Sequence, residues 1–234
     1  MTSVGFDLYL KNRFYPNLYL YQLFKAFSNN YINRFEDFMK KGRPLEYDPE
    51  ETLETAMHVF WEKGYDSTTL GDLLEATKIS RSSFYHAYGN KFQLFEQCLD
   101  LFCDKQIAQI EHALKHSITG RAFIENFLYD LARGARAVDE PHFGCFVMNT
   151  AHEFGGRDVY VSQLVSSATL RFSQVLQKAI ERGQEEGVIT TKKSPESLVF
   201  YLMSAISGIR SMISAKVPAD RIDDIIEVTL TAFD

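Results

Sequence analysis

The chain has 234 residues, of which 45% are hydrophobic and 24% charged, and a formal net charge of -6 at pH 7. Length and composition suit a globular protein of one large or two small domains with a real buried core. The acidic balance excludes a global positive field, so any nucleic-acid contact must rest on local patches. Three cysteines, Cys98, Cys103 and Cys145, are too few and too unevenly spaced for a disulfide framework. No Cys/His pair stands at zinc-ligand spacing, so no metal is expected, and no other cofactor. No apolar run approaches the roughly 18 residues of a membrane span. A reducing cytoplasm is the natural setting, with no membrane partner.

Residues 1–38 are crowded with Phe, Tyr and Asn, and Lys11, Arg13, Lys25 and Arg34 interrupt them. That rules out the continuous apolar core of a signal peptide. Residues 18–27 fit one short amphipathic helix. Two readings stand for this extension: a segment that packs poorly or is disordered, or a start-site artefact upstream of a native Met39. It is assigned no function.

From Met39 the punctuation is clear. A basic arm with Lys40, Lys41 and Arg43 precedes Asp48-Pro49-Glu50-Glu51, which supplies an N-cap, a proline at the first helical position and an acid at N3. Leu53, Ala56, Met57, Phe60 and Trp61 follow at helical spacing, and Gly64 stops the helix. Thr68 or Thr69 caps a second, short helix with Asp72 as box partner and Leu70, Leu73 and Leu74 inward. It ends near Ala76. Thr77-Lys78-Ile79 makes a tight turn, and Ser80 caps a third helix over residues 81–88. Gly89-Asn90 ends that helix, and Lys91 opens a fourth carrying Phe92, Leu94, Phe95 and Leu99.

Two short helices joined by such a turn form a helix-turn-helix. Ile79 and Phe84 point into its small core, leaving Arg81, Ser82, Ser83, Tyr85 and His86 outside. A helix showing hydroxyls, a guanidinium and an imidazole suits the major groove, where these groups, with Ser80 at the cap, reach phosphates or base edges. Lys91 and the free N–H groups of its helix can hold the same phosphate strand. Lys41 and Arg43 can reach backbone or minor groove. The acidic side of the first helix, at Glu50, Glu51 and Glu54, should point away from DNA.

Gly64-Tyr65, Thr68-Thr69-Leu70, Asp72-Leu73-Leu74, Ile79-Ser80-Arg81, Phe84-Tyr85, Tyr88-Gly89-Asn90-Lys91 and Leu94-Phe95 run in the order and spacing of one family. Over residues 43–101 the chain resembles the N-terminal domain of TetR-family transcriptional regulators. The resemblance implies an all-α homodimer. Residues 39–92 form its DNA-binding domain and residues 93–234 bind a ligand and dimerise. Its partners are double-stranded operator DNA, a second copy of itself and a small-molecule effector, and most members are repressors released by that effector. Thr69 matches the family position that touches phosphate at the start of the second helix. Arg81, Ser82 and Ser83 match the groove-facing part of the third, and Tyr85 and Lys91 match positions that grip the backbone. His86 and Tyr88 flank that surface, and the family position of Tyr88 is usually a buried aromatic. Lys78 departs from the glycine common in the turn. A positive φ there costs on the order of 1 kcal/mol, and Lys78 is either a tolerated substitution or an added phosphate contact.

The rest is all-α, with no strand alternation. The fourth helix continues through residues 100–115, and residues 121–138 form the next. Pro141 opens another that runs to Phe154, before Gly155-Gly156. A long helix over residues 158–186 turns Val161, Leu164, Val165, Ala168, Phe172, Val175, Leu176 and Ala179 inward, and Gly187 closes it. The last two helices, starting at Ser194-Pro195-Glu196 and Pro218-Ala219-Asp220, read as the dimer surface of a four-helix interface. Small residues Ser204 and Gly208 line one stripe. The alternative is that both helices are intramolecular core.

A ligand pocket is sketched by Phe123, Phe127, Phe146 and Phe172, with His142, Asn149 and His152 for polar specificity. Each also fits plain core packing. Cys145, after Gly144 near a helix start, allows an alternative switch by thiol modification. No acid or oxyanion motif accompanies Cys145, His142 or His152, so no catalysis is expected.

Overall fold

The computed structural model describes residues 47–136 and 144–234, and among them the chain forms nine α-helices and no strand. The expectations for residues 1–38, for Lys41 and Arg43, and for His142 lie outside the described residues.

The first three helices are short because their ends are fixed by local chemistry. Helix α1, Pro49–Lys63, has Glu50 and Glu51 in its first turn and Lys63 in its last, complementing its dipole at both ends. Helix α2, Leu70–Thr77, starts with a reciprocal cap. The Asp72 amide donates to Thr69 Oγ1 at 3.1 Å, and the Thr69 amide donates to Asp72 Oδ2 at 2.8 Å. The Lys63 ammonium lies 2.7 Å from Asp72, tying the end of α1 to the start of α2. That ammonium, then the Thr69 donors, hold the Asp72 carboxyl well below the usual carboxylate range. Lys78 ends α2 in the left-handed region, φ 57° and ψ 19°, the conformation that makes glycine common there. Helix α3, Arg81–Tyr88, begins where the Ser83 amide donates to Ser80 Oγ at 3.1 Å. Helix α4, Lys91–His116, begins where the Gln93 amide donates to Asn90 Oδ1 at 2.9 Å.

These four helices share a core of Ala56, Phe60, Leu73, Ile79, Phe84, Leu94 and Phe95, all buried. Helix α1 packs along α4, and Glu54 pairs with Lys105 there. Of the acids on α1, Glu54 therefore meets α4, while Glu50 and Glu51 are exposed.

Helices α5, Gly120–Arg136, α6, Phe146–Phe154, α7, Val159–Glu185, α8, Pro195–Ser214, and α9, Ala219–Leu230, build the body. Helix α7 is its axis, with α4, α5, α6 and α8 packed on it, and α9 lies against α5 and α8. Phe123, Ile124, Leu128, Leu176, Ile180, Leu202, Ile209, Ile226 and Phe233 fill the body core. Helix α5 starts unusually close to α7: a Cβ on Gly120 would stand 2.1 Å from the Ala179 carbonyl oxygen. Only glycine allows that approach. The turn before it is clasped from α7. The Arg182 guanidinium donates to the carbonyls of Leu114, Ser117 and Ile118 at 3.0, 3.1 and 2.9 Å, and Glu186 accepts from the Gly120 amide at 2.8 Å.

Three boundaries or faces differ from the sequence reading. The helix expected to open at Pro141 begins at Phe146, with Cys145 as its N-cap residue, because Gly144 turns the chain at φ 71°. The first half of α7 is only half-buried at Leu164, Val165, Ala168 and Phe172, whereas Val175, Leu176 and Ala179 are fully inside. Helix α8 is long and apolar enough to cross a membrane by length and composition alone. Ser204, Ser207 and Ser211 hide that apolar character from a search for unbroken runs. Its Leu198, Leu202, Ile206 and Ile209 belong to the body core, which is where an apolar helix of a folded domain puts one face. The opposite face leaves Phe200 and Met212 exposed, and α9 adds Val228. Neither helix is intramolecular core alone.

Gly64 closes α1 at φ 81°, and a Cβ there would stand 3.1–3.3 Å from the carboxylate of Glu153 on α6. Gly187, at φ 74°, has nothing within 4 Å of such a Cβ. Both Gly64→Ala and Gly187→Ala should lose the positive-φ cost, on the order of 1 kcal/mol. Gly64→Ala should lose about 1 kcal/mol more, since it also displaces a hydrogen-bonded carboxylate. Urea denaturation of the two variants compares them, and equal losses contradict the close approach.

Candidate nucleic-acid interface

Helix α3 divides cleanly between inside and outside. Phe84 and Tyr88 are buried at 1% and 6% exposure, while Arg81, Ser82, Tyr85 and His86 are exposed. Tyr85 stands out from the head at 49% exposure, its ring edge-on to Phe84 at 5.5 Å. That places a phenol hydroxyl on the outer surface with its ring braced from below. The Ser83 hydroxyl is only half-exposed and lies 2.9 Å from that of Ser80. Those two hydroxyls therefore serve the cap, and Arg81 and Ser82 are left exposed on the outer surface of α3. Lys78, exposed in the turn, sits one step before that helix.

Two residues assigned to phosphate contact from the sequence are largely engaged within the protein. The Thr69 hydroxyl donates to Asp72 Oδ2 at 2.6 Å while accepting from the Asp72 amide, so its first role is the cap. The Lys91 ammonium donates to the carbonyls of Tyr65 and Thr68, each at 2.8 Å, and lies 4.1 Å from the centre of the Tyr65 ring. Two of its three N–H groups thus hold the α1–α2 loop, leaving one for a phosphate. Sequence order alone cannot show this, because the loop lies 23 to 26 residues upstream.

The same loop is held from its other side by a residue the sequence reading did not single out. Glu153, near the end of α6, accepts from the amides of Tyr65 at 2.9 Å and Asp66 at 2.7 Å. The Thr68 hydroxyl, fully buried, donates to the Gly64 carbonyl at 2.6 Å. Aromatic rings fill the joint around these bonds. Phe154 meets Tyr65 at 5.4 Å, and Phe146 meets Phe95 at 5.5 Å and Phe102 at 5.8 Å.

This arrangement, a capped helix-turn-helix with a polar third helix set on an all-helical body, is also what comparison with known proteins finds. Residues 53–98 match the family described as bacterial regulatory proteins, tetR family, and residues 121–227 match the tetracyclin repressor-like C-terminal domain. The chain belongs to the TetR family. It is similar to the transcriptional repressor ComR of Escherichia coli strain K12, 28% identical over 172 residues that cover 72% of this chain and 80% of ComR. The IcaR negative regulator of the biofilm operon icaADBC, from Staphylococcus aureus strain Newman, is 25% identical, covering 67% of this chain and 80% of IcaR. Among solved structures, a cysteine-substituted form of the TetR-family regulator CifR bound to a 26-base-pair operator duplex superposes with a TM-score of 0.71. It is 24% identical and covers 82% of this chain and 100% of its own. Reduced Escherichia coli NemR gives 0.71 at 15% identity, covering 79% and 97%.

As a TetR-family member the protein is a DNA-binding transcription regulator and not an enzyme. The family acts as homodimers on operator DNA, and the apolar outer face of α8 and α9, with Phe200, Met212 and Val228, is what a second copy covers.

The residues sketched as a ligand pocket do not come together. Phe123, Phe127 and Phe172 form one group, with rings 6.1 and 5.9 Å apart, and Phe123 is core at 1% exposure. Phe146 belongs instead to the joint with the head. Asn149 and His152 are exposed on α6. The cause is register: on a nine-residue helix, Phe146, Val147 and Thr150 take the inner stripe, which leaves Asn149 and His152 outside. Glu96, unremarked in the sequence, is 5% exposed on α4, and its Oε1 is buried without a hydrogen-bond partner. Burial pushes its carboxyl up, and the Tyr160 hydroxyl bonded to it offsets part of the rise.

Lys91→Met should speed exchange of the Thr68 and Thr69 amides even without DNA, because it removes two charge-assisted bonds from the loop. Arg81→Ala and Ser82→Ala should leave those amides protected and change which duplex is preferred, while Tyr85→Ala should weaken all duplexes alike. Binding to specific and random duplexes, set beside amide exchange, separates these outcomes. Equal losses across all the variants contradict this division of roles.

Proposed function

We propose that this TetR-family regulator is a repressor, released from its operator by a small apolar or aromatic effector held in the helical body. The observation that carries the reading is the continuity of α4. It starts at the Asn90 cap in the DNA-binding head and runs without interruption to His116, and its Ile110 lies in the body core. Its 26 residues span about 39 Å as one rigid rod. A change in packing along its body half must tilt its head half.

The head, residues 39–92, would lay Arg81 and Ser82 against base edges and grip phosphates with Tyr85, Lys78 and the remaining N–H of Lys91. His86 and the Thr69, Ser80 and Ser83 region flank that contact. Two heads related by the dimer axis would take two half-sites. The body, residues 93–234, offers apolar surface for an effector where Phe127, Phe172 and Met203 pack half-buried against the core. ComR is named a repressor and IcaR a negative regulator, which supports repression over activation. Action on operator DNA supports a cytoplasmic setting.

A specific observation favours a second reading, switching by thiol modification at Cys145. Cys98 and Cys103 are buried, and burial pushes the Cys103 thiol up to about 12. Cys145 is only half-buried and stands at the N-cap of α6, so it is the thiol open to reagents. CifR was solved as a cysteine-substituted form and NemR as a reduced form, which points the same way.

A gel shift on the duplex flanking the protein's own gene tests the proposal. Six neutralised phosphates per dimer would lower affinity on the order of 10³-fold between 50 and 200 mM salt. No shift even in dilute buffer would overturn the reading. N-ethylmaleimide at pH 8 should label Cys145 first, and Cys98 and Cys103 only after denaturation. If labelling releases the duplex, and Cys145→Ser abolishes that release, the thiol switch stands. If labelling leaves the complex intact, a thermal-shift screen for small-molecule effectors follows.

A further inference from the structure

We infer that Glu153 is the positioning residue through which α6 sets the DNA-binding head, so that a displacement of α6 reaches the recognition helix through the Gly64–Thr68 loop. This rests on the reading that the body switches the head.

The geometry is specific to a carboxylate. Two adjacent amides, those of Tyr65 and Asp66, donate to the two oxygens of one side chain at 2.9 and 2.7 Å. A primary amide has one acceptor and would turn its own N–H groups on the second amide. Gly64 keeps the approach open, since a Cβ there would crowd the same carboxylate at 3.1 Å. On the carbonyl side of the loop Lys91 closes the clamp with two bonds of 2.8 Å. The loop is thus held between an anion on α6 and a cation on α4. Its last residue leads directly into the Thr69 cap of α2, and α2 leads by three residues into α3. Nothing in that path is slack.

Helix α6 is built to move as one piece. It has nine residues, so Cys145 at its N-cap and Glu153 lie about 12 Å apart along one axis. Its two ends carry Phe146 and Phe154, both seated in the aromatic joint, and its C-terminal carbonyls are closed by the Arg157 guanidinium, at 2.6 Å from the Glu153 carbonyl and 3.1 Å from that of Phe154. The Glu153 carboxylate also faces the C-terminal end of α1, where the helix dipole opposes negative charge. The two N–H bonds are therefore set against an unfavourable field, and the latch holds only while α6 keeps its place. Trp61, the single tryptophan of the chain, lies 5.1 Å from Phe102 and 6.4 Å from Phe146 and reports on the joint.

The test uses the full-length wild type, Glu153→Gln and Glu153→Ala, with the duplex flanking the gene as DNA and N-ethylmaleimide on Cys145 as the perturbation of α6. Helical circular dichroism and dimer mass confirm folding, and Glu153→Gln serves alone if the alanine variant unfolds. Exchange of the Tyr65 and Asp66 amides should quicken about tenfold or more, and duplex affinity should fall by about tenfold, the scale of a lost charge-assisted bond. Any effect of Cys145 labelling on wild-type affinity and on Trp61 fluorescence should shrink to less than half in the variants. Wild-type exchange and affinity in both variants would overturn the inference. So would a labelling effect of undiminished size. If labelling leaves even the wild-type affinity unchanged, the thiol switch fails, and amide exchange and duplex affinity in Glu153→Gln decide the latch by themselves.

Discussion

The Gly64–Thr68 loop depends on two opposite charges brought to it from different helices. Its amides are taken by Glu153 and its carbonyls by Lys91, and Thr68 closes the remaining span from within. Backbone polar groups need partners, and in this loop backbone bonds satisfy only the Gly64 amide, which donates to the Phe60 carbonyl, and the Thr68 amide, which donates to the Tyr65 carbonyl, and leave the other amides open. Charged side chains supply them here, in bonds stronger than neutral ones. That pairing holds the loop that leads into the Thr69 cap of α2. Because Glu153 belongs to the body side of the molecule, the recognition surface is set by contacts outside the helix-turn-helix itself.

The same device recurs at the other end of α4. Arg182 takes three carbonyls of the α4–α5 turn and Glu186 takes the Gly120 amide. Helix α4 is thus bracketed by two clamps, each pairing a cation on carbonyls with an anion on amides. Between them it behaves as a strut whose ends are fixed to turns. Packed interiors transmit displacement because they have little free volume. A strut held this way passes movement along and does not absorb it by local fraying. The first half of α7, beside the middle of that strut, is half-buried, unlike the core formed by Val175, Leu176 and Ala179.

Local chemistry was legible in the sequence and long-range chemistry was not. The caps at Thr69 and Ser80, the tight turn at Lys78, the inward Ile79 and Phe84 and the bounds of α3 all follow from residues within four positions of one another, whereas Asn90, read as the end of α3, is also the cap of α4. The exposed set on α3 follows too, since helical period assigns each side chain a face. Lys91 was legible as a cation at a helix start, but its partners lie in a loop that only the fold brings near. Glu153 had no signal, because its bonds span 87 and 88 positions. The division of the sketched pocket residues into separate groups was hidden for a related reason. Phenylalanines on three helices could be grouped by type, but composition cannot tell that Phe146 packs on Phe95 and Phe102 while Phe127 packs between Phe123 and Phe172.

An acidic protein that binds DNA must keep its acids away from one face, and the structure does so by two means. Two acids of the head are placed against cations: Asp72 with Lys63 and Glu54 with Lys105. Such exposed pairs add little stability, yet each cancels a negative charge that would repel phosphate. The second means is composition. From Thr77 to Phe95 there is no Asp or Glu, while Lys78, Arg81 and Lys91 are all present. Glu96, the next residue, is turned inward and buried, which keeps it off that surface. At 0.15 M salt the screening length is about 8 Å, so a phosphate at α3 responds to those three cations and little to the acids across the body. The net charge of -6 and a DNA-binding head are therefore compatible, because what counts is the charge within one screening length of the groove.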